Sequence, residues 1–375
     1  MKTIKLLVRA GLLIIIVILV STNINIVDAQ TSLKINSTYL PIVQNNPYSG
    51  FSTDNKFIGI YMQQYWTDTA VATYMPLADN LANKNHSVSG WFIDIEDGHF
   101  RDGHPDMKTN NLYRQLEALW QKGYVSFLNI NSKATAYAIA SGQLDLYLGR
   151  MAEYYANWVG LGGGRRAFLA PLPEMNGVNA DGQPWTSYGG DPVNFKLAYQ
   201  HSQNIFAQKG VSSDQVWWAF APNGWSKAGH EFEIYYPGDN IVEVVGFSMY
   251  NYGWCSVASP WEKWENYDTL YEPYISRIHT MAPGKPIIIA QTGTTAETSF
   301  GYNISAKNTW LSVNYEYVSN QPQVLGILYY DFDLSSWECN WKITVGDTFK
   351  PGYSTGAAFP VFQYLTWQDL QYIIP

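Results

Sequence analysis

Residues 167–177 read AFLAPLPEMNG. An unbroken apolar stretch, Ala167–Leu172, gives way to Pro173, a carboxylate at Glu174 and an amide at Asn176. An apolar run without polar alternation predicts a strand buried on both faces. The same design recurs on either side. Phe57–Met62, Val88–Ile95 and Tyr124–Ile130 precede it, and Val216–Phe220, Val244–Met249, Pro286–Ala290 and Val324–Tyr330 follow.

Helical patterns fill the gaps. Leu112, Leu116 and Leu119 fall on one face before Gly123, and Leu144, Leu148, Met151 and Tyr155 on another. Asp191-Pro192 opens a helix that Gly210 ends. Asp268–Met281 and Ser305–Val318 supply two more. Strands joined by crossovers this long form a parallel sheet, and eight such units predict an α/β fold, a (β/α)8 TIM barrel, as a single domain over 51–375. An open doubly wound sheet would want G-x-G-x-x-G after the first strand, and none follows.

The first 29 residues read as a secretory signal peptide. Lys2, Lys5 and Arg9 precede the apolar GLLIIIVILV of 11–20, and Ala29 is a small residue suited to cleavage. Residues 30–50 are polar with Pro and Gly, a linker or N-terminal strap. The expected product is secreted, monomeric and without a membrane span after cleavage. Outside the cytosol Cys255 and Cys339 are chemically able to pair, but spacing alone leaves open whether they meet.

In a barrel of this kind the chemistry gathers at the carboxyl ends of the strands. Asp94 ends the second run, Glu174 the fourth, Asn223 and Trp225 the fifth, Tyr250 the sixth, Gln291 the seventh, and Asp331 the eighth, with Trp337 beyond. That rim is rich in acids, amides and rings but poor in Lys and Arg. Aromatics are 16% of the chain against 14% charged residues, and the net charge is -8. An acidic chain argues against nucleic acid, which needs clustered cations. Ring faces with amides and carboxylates suit a neutral, polyhydroxylated ligand. The acid- and His-rich Asp94–Asp106 stretch fits no EF-hand spacing, so neither metal nor cofactor is expected.

These residues resemble glycoside hydrolase family 26, barrel enzymes that include endo-β-1,4-mannanases. The likeness rests on Pro-x-Pro-Glu-Met-Asn-Gly at 171–177 with Trp185 and Tyr188 after it, and on Ala-Pro-Asn at 221–223. It continues through Tyr-Tyr-Pro-Gly-Asp at 235–239, the Val245–Tyr250 segment and Lys-Pro-Ile-Ile-Ile-Ala at 285–290. The resemblance implies a glycosidase acting on a β-linked polysaccharide, most often mannan, with Glu174 as general acid/base. It implies sugar contacts for Asn176, Trp185, Tyr188, Asn223, Trp225, Tyr250 and Trp337.

Two positions depart from the family. Pro173 stands where a His usually precedes the acid. Gln291 stands where the family carries its nucleophilic Glu, and an amide is a poor nucleophile that brings no charge to an oxocarbenium ion. The expectation is therefore an enzyme whose second carboxylate comes from elsewhere, with Asp331 and Asp94 as candidates. The competing expectation is a non-catalytic carbohydrate-binding barrel.

Overall fold

A computed structural model describes residues 54–62, 71–97, 100, 111–179, 181–255, 263–336 and 338–374. The expected signal peptide, the 30–50 strap, Trp337 and most of the acid- and His-rich stretch after Asp97 lie outside them.

Eight described strands form the barrel: β1 Phe57–Met62, β2 Val88–Asp94, β3 Val125–Asn131, β4 Ala167–Pro171, β5 Val216–Phe220, β6 Val244–Asn251, β7 Ile287–Thr294 and β8 Val324–Asp331. Each pairs in parallel with its sequence neighbours, and β8 returns to β1, so the sheet closes into a barrel. The (β/α)8 expectation holds.

Ten described helices surround or cap the strands: α1 Met75–Ala82, α2 Asn111–Gln121, α3 Ala136–Ala140, α4 Asp145–Val159, α5 Pro192–Gln208, α6 Tyr267–Leu270, α7 Glu272–Met281, α8 Ile304–Ser319, α9 Lys350–Ala357 and α10 Trp367–Ile373. The side chain of Asp191 accepts from Asn194 N and starts α5, as its sequence predicts. The helix expected over Asp268–Met281 is two, α6 and α7. Pro273 in the first turn of α7 has no N–H to continue the earlier ladder.

Side chains fill the barrel. Phe57, Tyr61, Phe127, Phe168, Trp217 and Leu328 point inward, with Phe168 stacked on Trp217 at 4.8 Å between centroids. Such bulk fits only because facing positions are bare. A Cβ on Gly90 would lie 2.3 Å from the Tyr61 ring. Leu365, Leu370 and Ile374, on and beside α10, join this cluster and close the amino-terminal end. Residues of the opposite strand faces, such as Ile58, Ile60 and Ile289, pack beneath the helices with Leu112, Leu116 and Leu148. Burying one such side chain contributes about 1.5–3 kcal/mol, so both shells hold the strand ends firmly.

Strand β7 departs from its sequence reading. It runs on to Thr294, so Gln291 lies within the strand rather than after it. The register against β6 jumps there, from Phe247–Ile289 to Ser248–Gln291, and the register against β8 also shifts. A bulge of this kind re-aims the side chains beside it.

Candidate active site

Glu174 sits three residues past β4 on a backbone that L-residues seldom adopt. Leu172 and Glu174 have φ of 55° and 56°, each costing on the order of 1–3 kcal/mol. The turn is held from three sides. Leu172 N donates to Ile130 O at 2.8 Å, Glu174 N donates to Ala221 O at 2.8 Å, and the buried Tyr188 hydroxyl donates to Pro173 O at 2.8 Å. The strain fixes where the carboxyl points. Its Oε1 accepts from the Ser248 hydroxyl and from Asn223 Nδ2 at 3.4 Å. Burial pushes the Glu174 carboxyl up from the usual range, outweighing those two donors. A carboxyl raised in this way is suited to donating a proton.

Gln291 lies one strand beyond Ser248, since the two are ladder partners on β6 and β7. It is 5% exposed, and its Oε1 accepts from the Tyr250 hydroxyl at 2.8 Å. Glu174 and Gln291 therefore meet at a single barrel mouth, on either side of Ser248.

Asn223 and Tyr250, the partners of Glu174 and Gln291, line a groove of about 570 Å³ whose walls also include Trp185, Trp225, Met249, Tyr252, Tyr274, Lys263 and the carboxylates Glu265 and Asp268. Trp185 is 40% exposed and lies across Gly177, where a Cβ would come within 2.2 Å of the indole. The loop after β6 forms one wall. It is tied to the loop after β8 by a disulfide between Cys255 and Cys339. The two cysteines do pair, and their Cα atoms are 5.7 Å apart.

That disulfide carries a residue that sequence reading missed. Glu338, beside Cys339, accepts from the Tyr252 hydroxyl at 3.3 Å. Burial and the neighbouring Glu174 carboxylate raise Glu338 to about 7, against the lowering effect of Tyr252. A pair of loop cysteines was the available signal, because it implied that the loops after β6 and β8 meet at the mouth. Ser248 was overlooked as well, although it sits inside the quoted Val245–Tyr250 segment.

Several residues chosen from sequence have other surroundings. Asn176 is fully buried and binds protein, with Nδ2 donating to Asn223 O at 2.9 Å and Oδ1 accepting from Asn223 N at 2.9 Å. It positions Asn223 rather than facing the groove. Tyr188 is buried and braces the Glu174 turn through Pro173. Asp331 is 1% exposed and fully engaged. Its Oδ1 accepts from Ile343 N at 2.6 Å and Thr344 N at 3.0 Å, and its Oδ2 accepts from the Thr344 hydroxyl. That carboxylate fastens the loop after β8. Asp94 ends β2 half-buried, and burial raises its carboxyl while Lys133 opposes the shift. Its neighbour Glu96 is occupied by the Ser132 hydroxyl and the amides of Lys133 and Ala134.

The comparisons with known proteins agree on architecture. No family model matches the chain. A curated relative is Endoglucanase H of Acetivibrio thermocellus, 26% identical over 234 residues, covering 59% of this chain and 23% of that protein. The chain thus spans about a quarter of the length of the curated relative it matches. Among solved structures, it is similar to the beta-mannanase from a symbiotic protist of the termite Reticulitermes speratus, solved with gluco-manno-oligosaccharide. That match has a TM-score of 0.56 and 13% identity over 86% of this chain and 91% of the other. It is similar to a Cellulomonas fimi endo-beta-1,4-mannanase double mutant, with TM-score 0.57 and 15% identity over 86% and 74%. A GH26 beta-mannanase from Bacteroides ovatus gives TM-score 0.57 and 13% identity over 86% and 93%. At these identities the likeness establishes a shared (β/α)8 fold.

Proposed function

We propose that this chain is a secreted glycoside hydrolase of the family 26 type that cleaves a β-linked polysaccharide, with mannan as the first substrate to test. The observation that carries the reading is Glu174, held by a strained turn at the end of β4, raised by burial, and bonded to Asn223, which lines an aromatic groove. The mannanase and endoglucanase names of similar proteins support the same substrate class.

The chemistry follows from the geometry. A pyranose lying in the groove stacks its apolar face on Trp185 or Trp225 and offers hydroxyls to Asn223 and Tyr250. Glu174, protonated, donates to the glycosidic oxygen as the bond to the anomeric carbon breaks. Ser248 and Asn223 then stabilise the carboxylate left behind, because both donate to it. Gln291 lines the mouth and binds without attacking.

A second reading, a carbohydrate-binding barrel without turnover, is favoured by Gln291 alone. Incubation with mannan, xylan and β-glucan, reading reducing ends and retention on insoluble polymer, separates the two. Release of reducing ends that disappears in Glu174→Gln supports the hydrolase. Retention without release supports the binding protein, and a large gain of hydrolysis in Gln291→Glu would show a site lacking only its nucleophile.

A further inference from the structure

We propose that a second cleft, sharing the ridge 263–268 with the aromatic groove, binds a further stretch of the same neutral polysaccharide, an inference that rests on the glycosidase reading for the identity of the polymer. Side chains alternate along the start of that ridge, as they do in extended chain. Lys263 and Glu265 line the groove, whereas Trp264 and Asn266 line a separate cavity of about 390 Å³. Asn303, just before α8, and Ser305, Thr309 and Trp310 within it complete that lining.

The chemistry of the lining selects the ligand. Among the described residues no ionisable side chain borders the cleft, so an ion would find no counter-charge there. Indole, amides and hydroxyls are what a pyranose uses, one face stacking and the hydroxyls bonding. The polar groups are open to it. Asn266 precedes α6 without capping it through its side chain. Asn303 Oδ1 accepts from Ala306 N at 2.9 Å, which leaves its Nδ2 to donate. Ser305 and Thr309 are exposed.

The ridge is held firmly between its two sides. Trp310 Nε1 donates to Glu265 O at 2.7 Å, and Glu265 N donates to Asn251 Oδ1, at the end of β6, at 2.8 Å. One segment therefore positions both the groove wall and the cleft. Aromatic surface lies next to the cleft as well. A short hairpin pairs Glu297 with Tyr302 and Thr298 with Gly301, and it leaves Phe300 99% and Tyr302 67% exposed immediately before Asn303. Trp254 N donates to Glu297 O at 2.8 Å, which joins that hairpin to the loop carrying the groove residue Tyr252. Two sites on one polymer strengthen retention beyond either alone, because binding at the first concentrates the chain at the second.

The test compares wild type, Trp264→Ala and Asn266→Ala. Retention on insoluble mannan and β-glucan is read beside kcat/KM on a soluble oligosaccharide short enough to fill only the groove. Trp264→Ala should weaken retention about tenfold, the worth of one stacked ring, and Asn266→Ala about fivefold, the worth of one hydrogen bond. Melting temperature and oligosaccharide kcat/KM should not change. Asn266→Ala removes a side chain that caps nothing, so its result stands even where Trp264→Ala lowers the melting temperature. Undiminished retention in Asn266→Ala or in a folded Trp264→Ala, an equal loss on the short oligosaccharide, or a wild type that cleaves the oligosaccharide yet is not retained would each overturn the second site and leave a glycosidase. Self-association in light scattering that Trp264→Ala abolishes, with retention unchanged, would give the cleft to a second copy of the chain. Retention weakened in both variants, with no hydrolysis of any substrate by wild type, would keep the cleft and overturn the hydrolase. Neither retention nor hydrolysis by wild type would overturn both.

Discussion

Replacing Asp331 separates a carboxylate that reacts from one that holds a loop. Its two oxygens take the amides of Ile343 and Thr344 and the Thr344 hydroxyl. Each bond to a charged acceptor is worth about 1.5–3 kcal/mol net, though neighbouring contributions do not add fully. Asp331 also faces the buried Lys307, whose ammonium burial lowers to about 7 while Asp331 opposes the shift. Asp331→Ala should therefore destabilise the barrel by about 3–5 kcal/mol, because it leaves loop amides unpaired and removes the counter-charge of a buried cation. For a domain of this size roughly 2 °C of melting temperature goes with each kcal/mol, so a fall of about 6–10 °C is expected. Asp331→Asn keeps an oxygen for the two amides and should cost about 1–2 kcal/mol, with less than a tenfold loss of hydrolysis. Thermal unfolding followed by circular dichroism and reducing-end release read the two effects separately. An Asp331→Asn protein of unchanged melting temperature that hydrolyses nothing would refute the loop-holding role and return Asp331 to the reacting groups.

Other expectations follow from the same contacts. Trp185→Ala should weaken retention on polymer about tenfold, the worth of one aromatic contact of roughly 1–1.5 kcal/mol, with melting unchanged. Gly177→Ala should do the same by a different route, since its methyl would displace the indole. Asn176→Ala should cost about 2–4 kcal/mol in urea unfolding, because the buried N–H and C=O of Asn223 lose their partner. Because Glu174 is raised and must be protonated to act, kcat/KM should hold through pH 4.5, the ordinary value for a Glu, and fall only at higher pH. A basic limb at or below 4.5 in that profile would contradict the burial of Glu174.

The barrel was legible because each strand is apolar on both faces, a pattern few other elements share. The end of β7 was not. Gln291, Thr292, Gly293 and Thr294 look like loop residues, yet they continue the strand because β6 and β8 offer ladder partners on both sides. Glu174 could be placed from its motif, but the left-handed turn that aims it carries Leu and Glu where Gly would be the signal. Polar residues near strand ends proved ambiguous. Asn176 and Asp331 have the composition of ligand-binding groups, and their partners are backbone amides and carbonyls that no local pattern reveals. Glu338 was hidden for the opposite reason. It lies in a loop with no period, and the Cys255–Cys339 bridge beside it ties that loop to the one carrying its partner Tyr252.

The most direct measurement compares Glu174→Ala with wild type on two β-glycosides of one sugar chain, one with a 2,4-dinitrophenolate leaving group and one with a sugar alkoxide. A phenolate of low pKa leaves without a proton, whereas an alkoxide needs one. The prediction is that Glu174→Ala loses at least 100-fold on the sugar-linked substrate and far less on the aryl glycoside, with the fold intact. Equal losses on both, or none on either, would contradict Glu174 as the acid that protonates the leaving oxygen.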